Sequence, residues 1–275
     1  MSLFCEDNSI FLVAAHRGAR GVQPENTMTA FQWAMELNVD MIETDIRQTK
    51  DHCLVLMHDA KVDRTTDGSG NVRDFTYAEF RCLNAAAHDE GFAPECPPAL
   101  EELLAMVASH PTMLLNLELK DYPHIEGEAW AFETADKTIE LVEKYGLGKR
   151  VILNSFSGKL LKYICEKYAH RYPLHGFYPY YHMGAEAAEA EGYLDVACLF
   201  HTQKNPDGTS SALPGQVCPR EWFAYLEGRG IEPWVGAGVK TYEDLALAYE
   251  RGARLVTADN PAQTLEYICR MGHHA

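Results

Sequence analysis

An alternation limits the fold of this chain more than any other feature. Short apolar runs trade places with amphipathic segments about eight times along 275 residues. Phe11–Ala15 reads as a buried strand. Thr27–Leu37 follows as a helix that Asn26 or Thr27 can cap, with Ala30, Phe31, Ala34, Met35 and Leu37 as its apolar stripe. The runs DMIETDI (from Asp40), MLLNLELK, RVILNSF, PLHGFY, LDVACLF, IEPWVG and RLVTAD read as further strands. Helical patterns over Leu100–Val107, Ala129–Tyr145, Lys159–Tyr168, Pro219–Leu226, Tyr242–Arg251 and Pro261–Met271 lie between and after them. One further apolar run, CLVLMHD, precedes a turn-rich stretch over residues 60–98. Strand and helix in alternation call for parallel strands joined by right-handed crossovers, and eight such units close an α/β (β/α)8 TIM barrel. The competing open doubly wound sheet usually carries GxGxxG after its first strand. Here that place is taken by HRGARG, and the late GAGVKT from Gly236 lacks the third glycine and reads as a loop.

Charge narrows the partners. The formal net charge of −16 opposes binding to nucleic acid or to an anionic membrane surface, both of which need clustered Lys and Arg. A phosphate-bearing small molecule stays open, because a local cation can dominate one site. No run of about 20 apolar residues spans a membrane, and FLVAA is too short for a leader core. The cysteines at 5, 53, 82, 96, 165, 198, 218 and 269 form no CxxC pair and read as reduced hydrophobes. The expectation is a cytoplasmic protein.

In a parallel barrel, working side chains sit at strand C-termini and in the loops after them. The first strand ends at His16 and Arg17. Glu43 and Asp45 are two apart and share one face of the second, with Ile42, Thr44 and Ile46 on the other. The next run ends at His58 and Asp59, and MLLNLELK carries Glu118 and Lys120 on one face. Three carboxylates, Glu43, Asp45 and Glu118, suit a hard divalent cation such as Mg²⁺ or Ca²⁺; without one, mutual repulsion favours protonation of one of them. Arg17 offers a fork for phosphate and Lys120 a point charge. His16 and His58 can move protons near neutral pH. Together these groups fit the cleavage of a phosphodiester.

HRG and PENT, followed by IETDI, TKD, MHD, DRTTDGSG and LELK, resemble the glycerophosphodiester phosphodiesterase family in order and spacing, and the late TADNP fits its last strand. The resemblance is dense over residues 11–120 and thinner beyond. It implies one barrel domain over residues 1–275, with an insertion at about 60–98. It further implies one divalent cation, Mg²⁺ or Ca²⁺, and hydrolysis of a small glycerophosphodiester to an alcohol and glycerol 3-phosphate. His16 and His58 would be the acid/base pair, Arg17 and Lys120 phosphate binders, and Glu43, Asp45 and Glu118 metal ligands. In the route proposed for the family, the glycerol 2-hydroxyl attacks phosphorus and water then opens a cyclic phosphate. The seventh strand departs from the family's Thr-Trp-Thr-like stretch. PWVGAG keeps Trp234, expected to contact substrate, without the flanking hydroxyls. The rival readings are a phosphodiesterase for lysophospholipids, which apolar surface near the mouth would favour, and a non-catalytic phosphodiester sensor.

Four segments are open to two readings. Glu25 and Asn26 in PENT suit a turn and helix cap better than a ligand role. Asp63–Asp74 mimics a twelve-residue calcium loop, but a polar turn explains it more simply. Tyr178–His182 can line the alcohol pocket or cover the rim. His201–Ser211 has the composition of a mobile lid.

Overall fold

The computed structural model describes residues 3–7 and 9–274. Eight parallel strands close into a barrel: β1 (Leu12–Ala15), β2 (Met41–Gln48), β4 (Leu114–Leu119), β5 (Val151–Asn154), β6 (Leu174–Tyr178), β7 (Val196–Leu199), β10 (Glu232–Val235) and β11 (Leu255–Ala258). Closure is complete because β1 pairs with both β2 and β11. The barrel helices are α1 (Met28–Glu36), α3 (Leu100–Ala108), α5 (Glu128–Lys144), α6 (Gly158–Lys167), α8 (Arg220–Glu227), α9 (Tyr242–Arg251) and α10 (Pro261–Met271). The short α2 (Tyr77–Phe80), α4 (Pro123–Glu126) and α7 (Ala187–Ala190) lie in connections. No helix of the described residues is long and apolar enough to cross a membrane.

Residue parity sorts the two sides of the barrel wall. Val13 and Ala15 on β1, Ile42 and Ile46 on β2, and Leu115, Leu117 and Leu119 on β4 join the apolar stripes of the helices in the main core. The alternate positions point inward. Near the N-terminal ends of the strands, Leu12, Ala14, Met41, Ile152, Val196, Trp234 and Leu255 fill the barrel as a separate cluster. One step nearer the C-terminal ends, the inward positions turn polar: Glu43 and Asp45 on β2, Asn116 and Glu118 on β4, Asn154 on β5. An apolar plug thus closes one end of the barrel, and the other end carries the polar groups.

Trp234 belongs to that plug, which corrects its expected contact with substrate. The ring is 0% exposed, and its indole N–H donates to Glu232 at 2.7 Å. Its place on β10 is paired with Cys198 and Leu255, below the mouth. Inward parity alone could not tell the plug layer from the rim.

The run CLVLMHD also differs from a barrel strand. Its ordered part, β3 (Leu54–Leu56), pairs antiparallel with the top of β2, Ile46 opposite Leu56. The β2–β3 ribbon rises past the mouth and then returns, and the Met57 N–H donates to the Asp45 carbonyl at 3.0 Å. That return brings His58 down to the level of Asp45. The stretch after it packs Val62, Val72 and Phe80 against Val55 and Met57 as a satellite core. Beyond β7, a two-stranded hairpin of β8 (Thr202–Lys204) and β9 (Ser210–Ala212) occupies the segment read as a mobile lid.

Truncating the plug tests this assignment. Trp234→Ala should lower the unfolding free energy by about 3–5 kcal/mol, the usual cost of emptying a buried aromatic site. Urea denaturation measures it; a change under 1 kcal/mol would show that the ring is not core.

Candidate active site

The C-terminal mouth of the barrel holds a cavity of about 270 Å³. His16, Arg17, Glu43, His58, Glu118 and Lys120 all line it, so six of the sequence-predicted residues converge on one space. Asp45 lies just behind them, 1% exposed. Gly236 to Gly238, read as a loop from the sequence, form part of the opposite rim.

His16 and Arg17 sit where β1 gives way to a single tight turn. Arg17 adopts a left-handed backbone (φ 51°), which aims its N–H at Glu43 Oε2, 2.9 Å away. Gly18 follows at φ 86°, and any Cβ there would meet the Cβ of Ala30 at 2.7 Å, so only glycine lets α1 approach. Asn26 departs from its expected capping role. Thr27 accepts from the Ala30 N–H, while the buried Asn26 amide donates to Asp45 Oδ2 at 2.9 Å and accepts from Thr44.

Each imidazole is backed by a carboxylate. His16 Nδ1 lies 2.7 Å from Asp259 Oδ1 and His58 Nδ1 2.6 Å from Asp59 Oδ1. Burial would raise the pKa of Asp259, but the hydrogen bond and charge of His16, with Lys240 and Arg20, hold it at about 2. Burial likewise works against Asp59, yet Arg64 and His58 bring it to about 2. Both carboxylates are therefore ionised and can only accept. Each histidine must carry its proton on Nδ1, which leaves Nε2 as the working nitrogen. Burial lowers the pKa of His58; the charges of Lys120 and Arg17 add to this, and Asp45 opposes it.

Two of these backing groups, Asp259 and Arg64, have no assigned role in the sequence reading. Arg64 Nε donates to Asp59 at 2.6 Å, and its two terminal nitrogens grip Glu25 at 2.7 and 2.9 Å. Glu25 also accepts from Arg17 at 2.8 Å. The residue read as a turn former thus couples Arg17 to the His58 side of the mouth. Only proximity in DRTTDGSG hinted at Arg64, since its partners lie up to 39 positions away.

Ligand atoms of Glu43, Asp45 and Glu118 all fall within 4.8 Å of one another. Burial, followed by repulsion from Asp45 and Glu118, pushes Glu43 well above the usual carboxylate range. Burial would raise Asp45 too, but Lys120, Arg17 and His58 outweigh it and hold Asp45 far below. Burial opposes the charge on Lys120, which Glu118 and Asp45 more than restore. Its ammonium bonds Glu118 at 2.5 Å and reaches Asp45 at 3.3 Å. The donor set is all oxygen, and one member resists ionising without further positive charge. Both observations fit a hard divalent cation.

The remaining candidates fall outside the cavity. Asp63 accepts from Ser69 and Gly70 as a polar turn, and among the described residues only Glu43, Asp45 and Glu118 form a metal-competent cluster. Tyr181 and His182 both bond Thr202, at 2.7 and 2.8 Å, so that segment braces the hairpin.

A closed (β/α)8 barrel with an acidic, cation-ready site and two carboxylate-backed imidazoles at its mouth defines the class. The glycerophosphoryl diester phosphodiesterase family model matches residues 16–201, and the chain belongs to that family. A glycerophosphodiester phosphodiesterase of Caldanaerobacter subterraneus is 42% identical over 151 residues, 53% of this chain and 58% of the relative. The chain spans about half the length of the curated relatives it matches most strongly. The crystal structure of a glycerophosphodiester phosphodiesterase from Agrobacterium tumefaciens shares the fold, with a TM-score of 0.70 at 20% identity, covering 92% of this chain and 98% of that one. An Oleispira antarctica phosphodiesterase in complex with the product sn-glycerol-3-phosphate gives a TM-score of 0.76 at 20% identity, covering 94% and 97%.

At the cavity floor, the Asn116 amide donates to His175 Nδ1 at 3.1 Å, and burial lowers the His175 pKa to about 3. The unfolded chain takes up this proton below its ordinary value of 6.5, whereas the folded protein refuses it until near pH 3. Stability should therefore fall as pH drops through this window, by about 3 kcal/mol at pH 4.5 from this group. Urea titrations at pH 7 and 4.5 should show His175→Gln losing less stability than the parent; an equal loss in both would contradict the assignment.

Proposed function

We propose that this chain hydrolyses glycerophosphodiesters to an alcohol and glycerol 3-phosphate. One observation carries the reading: two imidazoles, each held through Nδ1 by a carboxylate, line the same cavity as Arg17, Lys120, Glu43 and Glu118. The chain works as a single barrel domain with residues 60–98 as an insertion. Glu43, Asp45 and Glu118 hold one divalent cation, Mg²⁺ or Ca²⁺, which when bound offsets charge on the phosphoryl oxygens.

The residues divide the remaining work. Arg17 and Lys120 bind and orient the phosphate, and bring positive charge to bear on it. One imidazole takes the proton of the substrate's glycerol 2-hydroxyl as its oxygen bonds to phosphorus. The other gives a proton to the departing alcohol oxygen as that P–O bond breaks, leaving a cyclic phosphate. Water then opens the ring with the two roles reversed. An internal nucleophile makes an enzyme-bound serine or cysteine unnecessary, in keeping with the absence of either from the acid/base groups. Asp259 and Asp59 fix the tautomer each step requires.

The test is turnover of glycerophosphodiesters with Mg²⁺ and with Ca²⁺, before and after chelation. Chelation should abolish release of glycerol 3-phosphate, and one of the two ions should restore it. His16→Ala and His58→Ala should each lower kcat by about 100- to 10,000-fold. Survival of activity through all three treatments would sink the assignment. Saturable binding of the diester without any turnover would place the chain among non-catalytic sensors.

A further inference from the structure

Part of the cavity wall is aromatic. Phe156 just beyond β5, Phe177 on β6 and Phe200 just beyond β7 all line it. The first two rings stack with centroids 3.5 Å apart and planes 12° apart, and Phe200 lies 5.5 Å from Phe177. Neither Phe177 nor Phe200 takes part in the proton transfers or phosphate contacts above. Phe177 is buried, but Phe156 and Phe200 are part-exposed, and phenyl surface facing water costs solvation free energy unless something apolar covers it.

This wall continues into a second space. A cavity of about 220 Å³ under the β8–β9 hairpin shares Phe200, Gly236 and Gly238 with the first. Leu199, Leu213 and Val239 add apolar surface to it, and no carboxylate lines it. At the shared edge the two glycines present no side chain; a Cβ on Gly236 would meet Cys198 at 3.4 Å and one on Gly238 would meet Gln216 at 3.0 Å. The hairpin follows the end of the family match at residue 201, so this annex is built largely by sequence outside it.

Aromatic walls also attract cations, and the two occupants can be told apart here. Lys120 Nζ stands over the Phe156 ring, 5.5 Å from its centroid. The cation position on that ring is taken, and the annex beyond it has no carboxylate in its lining to hold a second cation. An uncharged chain needs no such partner.

We propose that the wall and annex form a subsite for an uncharged apolar substituent on one alcohol of the phosphodiester, an alkyl or acyl chain and not a cationic head group. The proposal rests on the phosphodiesterase reading for its reaction but not for its binding. Bound at the phosphate site, such a chain would cross Phe177 and Phe200 and end under Leu213.

The experiment has two arms on the intact protein. In the first, kcat/KM is measured for glycerophosphoethanol, glycerophosphobutanol, glycerophosphooctanol and glycerophosphocholine. In the second, ethyl and octyl phosphate, below micelle-forming concentration, are titrated onto chelated protein by calorimetry. At about 0.8 kcal/mol per fully buried methylene, even partial burial should favour octyl over ethyl by about 30-fold or more in both arms, with choline no better than ethyl. Phe200→Asn and, separately, Leu213→Asn should bring the octyl-to-ethyl ratio towards one. The ratio is read within one protein, so a loss of total activity does not mask it. Turnover with a flat chain-length series, or a preference for choline, would overturn the subsite and leave the proposed reaction standing. Chain-length-dependent binding with no turnover of any diester would do the reverse.

Discussion

Everything at the mouth depends on placing three carboxylates on inward positions of adjacent strands, in a space mostly closed to water. Parallel register puts Asp45 beside Glu118, so the two charges are neighbours by construction. Buried like charges repel strongly at low effective dielectric, and the barrel answers with Lys120 two residues beyond Glu118 and Arg17 at the end of β1. Each cation is itself over-supplied with acidic partners. The cluster stays short of positive charge, and Glu43 carries that shortage as its raised affinity for a proton. The same shortage is what makes the cage receptive to a divalent ion.

Much of this is readable from local pattern. Period-two alternation in IETDI and LELK gives the shared face of the acidic residues, and the alternation of strands with helices gives the barrel. What escapes is decided by contacts between distant segments. Asp259 meets His16 across 243 positions, and Arg64 meets Glu25 across 39. No spacing rule links either pair. Trp234 shows another limit: parity says that it points inward but not at which height, and height separates a plug residue from a substrate contact. The run CLVLMHD has the composition of a barrel strand, and only its pairing partner reveals the reversed direction.

The insertion and the barrel are joined through charge as well as packing. Arg64 lies outside the barrel strands yet holds both Asp59 and Glu25, and Glu25 in turn holds Arg17. The two imidazoles are served by separate arrangements. His16 leans on the last barrel strand's end, and His58 on the satellite segment.

The reversed β3 strand places the two imidazoles on different kinds of support. His16 is fixed by the closed cylinder, which has no free edge along which to slide. His58 depends on a two-stranded ribbon that is tied on its other side at Val55–Ala99 and Leu56–Pro98. A one-residue slip of that ribbon would turn His58 to its other face and leave His16 untouched. The spacing of the two imidazoles thus follows the register of this ribbon, which turns over residues 49–53.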